Sequence, residues 1–370
     1  MQKRLVIIGG GVAGHRAAHR LQGAANVTLI DPKTYFEIPM AMPRHVVRPA
    51  ELPSLLPYAE FLPDVRHLQG AAMEVGRDRV TLDDGRSAAF EVLLIASGAN
   101  YRSELVKPAS GEPETRLDFY RDLSGRVAVA ERIVIIGGGP IGVEIAGEIL
   151  EQHPGKQLAL VEGAERLLPA LPPTISRWAA DFLSARGAQV LVGDSVESPR
   201  PPPGDVSQNG VVVTRSGRQL PFDLALWCLG ARPAAEFMRR HLPDVLNGAG
   251  EVRVDDHLRA VGAGNIFAVG DVTDIPHKGA VALHPQLPPV IANIRRVLEA
   301  GPGAALVRFK GVRHPTTALI SLGRNHGLLN LPIGRFRAGW LARKLKTRHM
   351  LVDHLRHELK LPYPVPAKPA

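Results

Sequence analysis

Two glycine-rich segments of the same kind dominate this sequence, and their first glycines lie 128 residues apart. Each segment follows a short apolar run, residues 5–8 in the first case and residues 133–136 in the second. The order of strand, tight turn and helix start is typical of a dinucleotide-binding βαβ unit. Two such units predict two dinucleotide sites, and the simplest assignment is one flavin and one nicotinamide dinucleotide. The residues predicted to form the turns and helix starts are Gly9, Gly11, Val12, Ala13 and Gly14, then Gly137, Gly139, Pro140, Ile141 and Gly142.

An acidic residue ends the second strand of each predicted unit. Asp31 lies 22 residues after Gly9, and Glu162 lies 25 residues after Gly137. A carboxylate at this place accepts hydrogen bonds from the hydroxyls of adenosine ribose. Because a carboxylate repels a 2′-phosphate, Glu162 favours NADH, while Arg166 nearby keeps NADPH open as an alternative.

The composition excludes several kinds of site. The 370 residues include one cysteine, Cys228, which excludes an internal disulfide, a redox CxxC pair and a cysteine-ligated zinc site, and we predict no metal site. No run of about 18 uncharged apolar residues occurs, so no membrane-spanning helix is predicted. Gln2 stands where N-myristoylation requires glycine. We therefore expect a cytoplasmic protein, with peripheral attachment to a membrane surface as an option.

Positive charge is concentrated at the C-terminal end. The formal net charge is +9, and residues 331–370 alone carry nine Lys or Arg against two acidic residues, a balance of +7. Such a region indicates an anionic surface as partner, membrane lipid first, and no recognition-helix pattern supports nucleic acid. A helix predicted here is either interfacial or docked on its own domain. Its apolar side comprises Ile333, Phe336, Trp340, Leu341 and Leu345.

A third motif completes a family pattern. Residues 265–271 predict a strand that ends in Gly270 and Asp271, about 260 residues after the first glycine segment. Together the three motifs resemble the two-dinucleotide-binding flavoprotein family of disulfide-reductase fold, over residues 3 to about 300. The resemblance implies that Gly270 and Asp271 bind the ribitol chain of FAD. It also identifies paired crossover turns between two domains, which comprise Ala96, Ser97, Gly98 and Gly230.

The same resemblance implies the architecture. We expect an α/β protein with two Rossmann-like dinucleotide-binding domains and a smaller C-terminal α+β domain. Residues 1–108 and 251–300 form the expected FAD-binding domain, and residues 109–250 form the NAD(P)H-binding domain. Residues 301–370 form a cap that faces a membrane or the electron acceptor.

The C-terminal third narrows the resemblance. Residues 321–327 read Ser-Leu-Gly-Arg-Asn-His-Gly, which is similar to a short segment of the ferroptosis suppressor family, also called the apoptosis-inducing factor 2 family. The basic run at residues 343–348 and the Gly-Val-Glu at residues 142–144 resemble the same family. Type II NADH:quinone oxidoreductases are close cousins. The resemblance implies an FAD enzyme that uses NAD(P)H to reduce ubiquinone or another quinone at a membrane surface.

Further site residues follow from this resemblance. Glu144 is the leading candidate for an active-site acid, and a basic residue near the C-terminus is expected beside the acceptor, with His357 and Lys360 at the nearest positions. The loop after the Asp31 strand is expected to border the flavin. That loop contributes Pro32, Lys33, Phe36, Pro39, Met40 and Arg44. The start of a helix predicted over residues 290–298 would direct backbone amides at the flavin ring, with contacts from Lys278, Gln286 and Leu287.

Two alternatives to a quinone reductase stay open at this point. One is an NAD(P)H-dependent reductase of a carrier protein of the ferredoxin or rubredoxin type, bound through the basic surface. The other is a flavin-bound interaction protein related to apoptosis-inducing factors, without catalysis. The oligomeric state is not indicated by any sequence feature.

Overall fold

The computed structural model describes residues 3–101, 104–202, 206–314, 316–337 and 339–362. The first part of the chain forms a parallel sheet with helices and smaller sheets around it. Its elements are β1 (Arg4–Ile8), α1 (Gly14–Leu21), β2 (Asn26–Asp31), β3 (Tyr35–Glu37), α2 (Met42–His45), β4 (Leu55–Pro57), α3 (Tyr58–Phe61), β5 (Val65–Gln69), β6 (Ala72–Val75), β7 (Arg79–Leu82), β8 (Ser87–Ala89), β9 (Val92–Ile95) and β10 (Ala99–Tyr101).

The second part repeats the βαβ arrangement. Its elements are α4 (Pro113–Val129), β11 (Arg132–Ile136), α5 (Pro140–Gln152), β12 (Gln157–Glu162), α6 (Pro173–Ser184), β13 (Gln189–Val192), β14 (Val196–Ser198), β15 (Val206–Thr214), β16 (Gln219–Trp227) and β17 (Ala231–Pro233). Strands β13, β12, β11 and β16 are parallel neighbours, and β15 and β14 extend the sheet in antiparallel fashion.

The third part first returns to the first sheet. Its elements are β18 (Ile266–Ala268), α7 (Ala280–Leu283), α8 (Leu287–Ala300), β19 (Ala318–Ser321), β20 (Gly327–Leu331), β21 (Gly334–Phe336), α9 (Gly339–Ala342) and α10 (Val352–Glu358). Strand β18 pairs with β9, so the first sheet has the order β18-β9-β1-β2-β5 and is parallel throughout. Side chains on both faces of β1 and β9 are buried, as in a sheet covered by helices on each side.

The chain crosses between the two large sheets twice, and the two crossings lie side by side. Strand β10 follows the first crossover turn and pairs antiparallel with β17, which follows the second. The Ser97 hydroxyl donates a hydrogen bond to the Ala234 carbonyl oxygen at 2.6 Å, which ties the turns together. The expected α/β fold of two Rossmann-like units and a small C-terminal α+β unit is confirmed. The exact domain boundaries stay a prediction.

The C-terminal unit packs on both larger parts of the protein. Ile320, Leu322 and Leu328 join the core beneath α5 and α6, while Leu355 and Leu359 join the core around α1 and α8. Among the described residues, no helix is long and apolar enough to cross a membrane. Lys368, one of the basic residues of the tail, lies outside the described residues.

The helix predicted through residues 333–345 is wrong. Ile333 lies in the turn between β20 and β21, Phe336 ends β21, and only Trp340 and Leu341 belong to α9. A π-helical turn, Arg343–Thr347, then follows. Gly334 (φ +142°) follows Pro332 and Ile333, and this turn closes a hairpin in place of the helix. Ile333, Trp340 and Leu345 nevertheless stay exposed.

Candidate active site

The first glycine turn has the geometry of a phosphate-binding turn. Gly9 adopts φ +95°, and a Cβ there would lie 2.6 Å from the Ala96 carbonyl oxygen. A Cβ at Gly14 would lie 1.7 Å from the Gly9 carbonyl oxygen, so α1 packs closely on β1. By contrast, a Cβ at Gly11 would meet no atom within 4 Å. The open space beside Gly11 is where a pyrophosphate can approach the backbone.

The second glycine turn repeats this geometry. Gly137 adopts φ +110°, and a Cβ there would lie 2.4 Å from the Cys228 carbonyl oxygen. A Cβ at Gly142 would lie 2.0 Å from the Gly137 carbonyl oxygen, whereas a Cβ at Gly139 would face open space. In both turns, therefore, the first and last of these three glycines pack against backbone, and the middle one (Gly11 or Gly139) faces open space.

The two acidic residues at the strand ends hold their own glycine turns. Asp31 accepts hydrogen bonds from the backbone N–H of Gly10 at 2.6 Å and from that of Lys33 at 2.9 Å. Glu162 accepts from the backbone N–H of Gly138 at 2.6 Å and from that of Ala164 at 2.7 Å. Each carboxylate is thus fixed beside its own glycine turn.

The second turn opens into a cavity of about 760 Å³. Predicted residues that line it are Gly137, Gly139, Pro140, Ile141, Glu162 and Gly230. Arg200, which sequence reasoning missed, lines it too and supplies a positive charge. Arg166 lies outside this lining and donates a hydrogen bond to the Pro169 carbonyl oxygen at 2.7 Å.

The first turn opens into a cavity of about 340 Å³. Predicted residues that line it are Gly11, Val12, Ala13, Lys33, Phe36, Pro39, Met40, Ala96, Ser97, Gly98, Ile141, Glu144, Gly270 and Asp271. Ile141 and Tyr101 line both cavities. The two cavities therefore adjoin, at the start of α5.

Asp271 and Gln286 shape the wall opposite the glycine turn. Asp271 accepts a hydrogen bond from the Gly279 backbone N–H at 2.6 Å. Gln286 is fully buried, and its side-chain oxygen accepts a hydrogen bond from the Gly270 backbone N–H at 2.9 Å. Gln286 thus supports a cavity residue instead of lining the cavity. Leu287 is buried in the core beside it.

Several predicted site residues lie away from the first cavity. Lys278 forms an ion pair with Glu251 at 2.8 Å. Arg44 is fully buried, with its guanidinium 2.7 Å from a carboxylate oxygen of Glu148. Pro32 is half-buried behind the Asp31 strand. None of Lys278, Arg44 and Pro32 lines the cavity.

His357 and Lys360 are exposed near the end of α10, and neither lines the cavity. A different basic residue lies beside Glu144. The Lys346 ammonium is 2.5 Å from a carboxylate oxygen of Glu144, and both side chains are more than nine-tenths buried. Lys346 also donates to the Leu319 carbonyl oxygen at 2.8 Å, and Glu144 accepts from the Ser321 backbone N–H at 2.8 Å.

The sequence held no specific signal for Lys346. It stands within a run of basic residues that alternate irregularly with apolar ones, and the structure alone turns its side chain inward. The basic residue that meets Glu144 therefore comes from the π-helical turn and not from α10.

Lys107 is a second cationic group that sequence reasoning missed. It lines the first cavity and donates hydrogen bonds to the carbonyl oxygens of Ser97 and Ala99, at 3.1 and 2.9 Å. Burial lowers the pKa of Lys107 to about 8, and repulsion from Lys33 acts in the same direction. Lys33 and Lys107 are the basic side chains of a lining that also contains the carboxylates of Glu37, Glu144 and Asp271.

Comparison with known proteins agrees with this geometry. The family model described as pyridine nucleotide-disulphide oxidoreductase matches residues 3–290. Apoptosis-inducing factor homolog B of Dictyostelium discoideum is 25% identical, over 98% of this chain and 98% of that protein. Ferroptosis suppressor protein 1 of Homo sapiens is 27% identical, over 94% of each chain.

Among solved structures, the sulfide:quinone oxidoreductase from Aquifex aeolicus has a TM-score of 0.73 and 18% identity. The match covers 97% of this chain and 91% of that one. At this identity the likeness shows a common fold and extends through the C-terminal unit.

Proposed function

This chain belongs to the pyridine nucleotide-disulphide oxidoreductase family, and on that premise we propose that it is an NADH:quinone oxidoreductase. FAD and a nicotinamide dinucleotide are its cofactors. In the proposed reaction NADH and one proton reduce a ubiquinone-type quinone, which leaves NAD⁺ and the quinol. Two electrons and two protons reach the quinone, one proton coming from solvent.

The residues of the first cavity fit FAD. Gly11 leaves open space at a helix start, and Asp271 lies in the cavity wall. Asp31 does not line the cavity, and its carboxylate holds the glycine turn beside it. Lys33 and Lys107 are the side chains of the lining that would bind pyrophosphate oxygens. When bound, FAD supplies a ring that takes two electrons from the nicotinamide and passes them to a second acceptor.

The adjoining of the two cavities carries the proposal. Ile141 and Tyr101 line both cavities, so these two residues would adjoin both a nicotinamide dinucleotide in one cavity and FAD in the other. Glu144 lines the first cavity one helical turn after Ile141. Lys346, which pairs with Glu144 but does not itself line the cavity, is the residue we propose as proton source for the quinone, through Glu144.

The quinone acceptor is supported by the relatives. The sulfide:quinone oxidoreductase that shares this fold acts on a quinone, as its name states. This chain has one cysteine, so chemistry that uses a cysteine pair is unsupported and direct transfer from NADH is the simpler route. Glu162 favours NADH over NADPH, because its carboxylate lies at the ribose edge of the second cavity.

We further propose that the protein works at a membrane surface to which it attaches peripherally. The exposed fractions of Ile333 and Trp340 are 83% and 74%, and both lie in the basic C-terminal unit. Exposed apolar side chains beside basic ones suit the interface of an anionic membrane, where a membrane-bound quinone is available.

Stopped-flow absorbance of the flavin tests the proposal. The holoprotein is reduced anaerobically with NADH and then mixed with a short-chain ubiquinone. Rapid bleaching and rapid reoxidation are expected. If quinone reoxidises the flavin slowly and a ferredoxin-type carrier reoxidises it rapidly, a carrier-protein reductase is favoured. Failure of NADH to bleach the flavin would favour an interaction protein without catalysis.

A further inference from the structure

The π-helical turn Arg343–Thr347 brings two arginines together at the surface. The backbone N–H of Arg348 donates to the Arg343 carbonyl oxygen at 3.4 Å, five residues earlier. In an α-helix, residues five apart point about 140° away from each other. The wider turn places Arg343 and Arg348 on the same side, and π-turns often occur at functional sites.

These two arginines line a surface cavity of about 320 Å³ together with other cationic groups. Its lining residues are Glu51, Leu52, Arg324, Arg343, Arg348 and His349. Glu51 is the acidic residue of the lining, and it forms ion pairs with Arg324 at 2.6 Å and with Arg44 at 2.9 Å. Although burial opposes the shift, these arginines lower the pKa of Glu51, which keeps its negative charge.

Positive charge in this cavity exceeds negative charge. No ion pair joins Arg343 or Arg348 to a carboxylate anywhere in the part of the chain that the structure describes. Both side chains are exposed and point at a cavity large enough for a phosphate group. Two guanidinium groups that line one concave site are well suited to the several oxygens of a phosphate.

We propose that this cavity binds the phosphate of an anionic phospholipid headgroup. Two exposed apolar side chains that are close to these arginines in sequence, although they do not line the cavity, favour a lipid over a free phosphate ion. Trp340 lies one helical turn before Arg343, and Leu345 lies within the same turn of backbone. Their exposed fractions are 74% and 40%, and exposed apolar groups would gain from contact with acyl chains but not from contact with a free ion.

The other side of the same π-helical turn faces the candidate active site. Lys346 pairs with Glu144, and the Thr347 hydroxyl donates to the Arg324 carbonyl oxygen at 2.7 Å. A headgroup held by Arg343 and Arg348 therefore stabilises the segment that carries Lys346. This part of the inference rests on the proposed function, and it predicts faster quinone reduction on anionic vesicles than on zwitterionic ones.

Vesicle binding tests the site independently of turnover. The holoprotein is sedimented with phosphatidylcholine vesicles, with or without phosphatidylglycerol, at physiological ionic strength. The site variant is Arg343→Gln/Arg348→Gln. The matched control is Arg337→Gln/Lys344→Gln, which removes the same charge from exposed positions of the same region that do not line the cavity. Thermal unfolding checks that both variants are folded.

We expect both variants to lose the general attraction to the membrane, about fivefold in affinity for each charge removed. The site variant is expected to bind at least about tenfold more weakly than the control, since it also loses the headgroup contacts. Equal losses in the two variants would overturn the proposal in favour of a diffuse basic surface. A different result would identify a site for free phosphate instead. In that case the wild type binds inorganic phosphate at millimolar concentration and the site variant does not, while the two variants bind vesicles equally.

Vesicle binding and turnover separate the two proposals. If the site variant loses vesicle binding more than the control does, and the wild type does not reduce quinone, the lipid site is supported and the proposed reaction is overturned. If the wild type reduces quinone in solution and the two variants bind vesicles equally, the proposed reaction is supported and the lipid site is overturned.

Discussion

Glu144 and Lys346 form a buried pair whose members come from distant parts of the chain. Taking two charges out of water is costly, and the pair is stable only because each partner makes further hydrogen bonds to backbone groups of β19, at Leu319 and Ser321. Because Glu144 of this pair lines the first cavity, proton transfer is the role that we propose for it.

Substitution of this pair separates stability from activity. Glu144→Gln leaves the Lys346 ammonium without its counter-charge, and we expect the free energy of unfolding to fall by about 3 kcal/mol. Quinone reduction should slow about 100-fold. Glu144→Gln/Lys346→Met should regain most of the stability but not the activity. Urea unfolding and steady-state kinetics measure the two effects.

Glu151→Gln is the control for that experiment, because Glu151 lies on the same helix and accepts hydrogen bonds from the backbone N–H of Arg324 and Asn325 without lining the cavity. It should cost stability and leave turnover close to the wild-type value. Wild-type turnover of Glu144→Gln would contradict a role for the pair in the reaction.

His15 makes stability depend on pH. Its ring is fully buried, stacks on Phe36 with 4.0 Å between ring centroids, and is hydrogen-bonded to the Gly11 carbonyl oxygen at 2.7 Å. Burial lowers the pKa of His15 from 6.5 to about 3. The unfolded chain therefore takes up a proton at a higher pH than the folded protein, and stability falls as the pH drops from about 6.5 towards about 3.

His15→Phe should remove this dependence. Between about pH 7 and about pH 4, His15 is expected to account for about 3 kcal/mol of the fall in unfolding free energy. The variant keeps the ring packing but cannot bind the proton. Comparing each protein with itself at the two pH values cancels any constant packing difference. An acid-induced fall of the same size in both proteins would contradict this account.

At the scale of elements, α5 connects the second nucleotide site with the C-terminal unit. Glu144, Glu148 and Glu151 recur at spacings of four and three residues, which places them along one side of the helix. Glu144 and Glu151 accept backbone hydrogen bonds from the C-terminal unit, and Glu148 binds the buried Arg44. The same helix therefore presents its first turn to a dinucleotide and its side to the segment that carries Lys346.

Gly147 permits that contact. A Cβ at Gly147 would lie 2.7 Å from the Leu322 Cα, so Gly147→Ala should push the C-terminal unit away and lower the free energy of unfolding by about 1 to 3 kcal/mol. Gly125→Ala is the matched control within α4, where a Cβ would meet nothing within 4 Å. It should raise stability by about 0.5 to 1 kcal/mol, because alanine favours the helix. If urea unfolding shows that both variants change the free energy of unfolding in the same direction, the close contact at Gly147 is not the cause.

At the scale of the whole molecule, Arg44 joins three parts of the chain. Its guanidinium binds Glu148 of α5 at 2.7 Å, Glu51 of the loop after α2 at 2.9 Å, and the Thr347 carbonyl oxygen at 2.8 Å. Burial raises the pKa of Glu148, and Arg44 works against that rise. The loop beside the first cavity, the second dinucleotide unit and the C-terminal unit thus depend on one side chain.

Arg44→Met should lower the free energy of unfolding by about 3 to 5 kcal/mol, since Glu148 would lose its main counter-charge. Arg44→Met/Glu148→Met should recover most of that loss, because matched apolar residues replace buried pairs well. Urea unfolding measures both effects, and hydrogen exchange in β19 and β20 reports whether the C-terminal unit loosens. If the free energy of unfolding of Arg44→Met is within about 1 kcal/mol of the wild-type value, Arg48 alone is a sufficient counter-charge for Glu148.

Local pattern predicted most of the two dinucleotide units. The apolar run at residues 133–136 lies within β11 (Arg132–Ile136), and the helix start predicted at Pro140 and Ile141 is the start of α5 (Pro140–Gln152). Glycine positions, apolar runs and strand-end acids act through neighbours in sequence, so a single chain reveals them. The same local reasoning failed for residues 333–345, where the turn at Pro332 and Ile333 and the hairpin it closes outweighed an apparent helical stripe.

The sequence by itself determined that the chain builds two βαβ glycine turns, each with an acidic residue at the end of the next strand. The structure showed that each of these carboxylates holds its own turn. The sequence also determined a basic C-terminal end and the absence of a cysteine pair. Only the tertiary structure decided which basic residue meets Glu144, because Lys346 lies 202 residues away and one of many basic side chains had to turn inward. It likewise decided that Arg44 is buried among partners and that the two cavities adjoin at Ile141. Hydrogen bonds within a turn depend on neighbouring residues, whereas pairing across the molecule depends on how sheets and helices pack, which no short pattern contains.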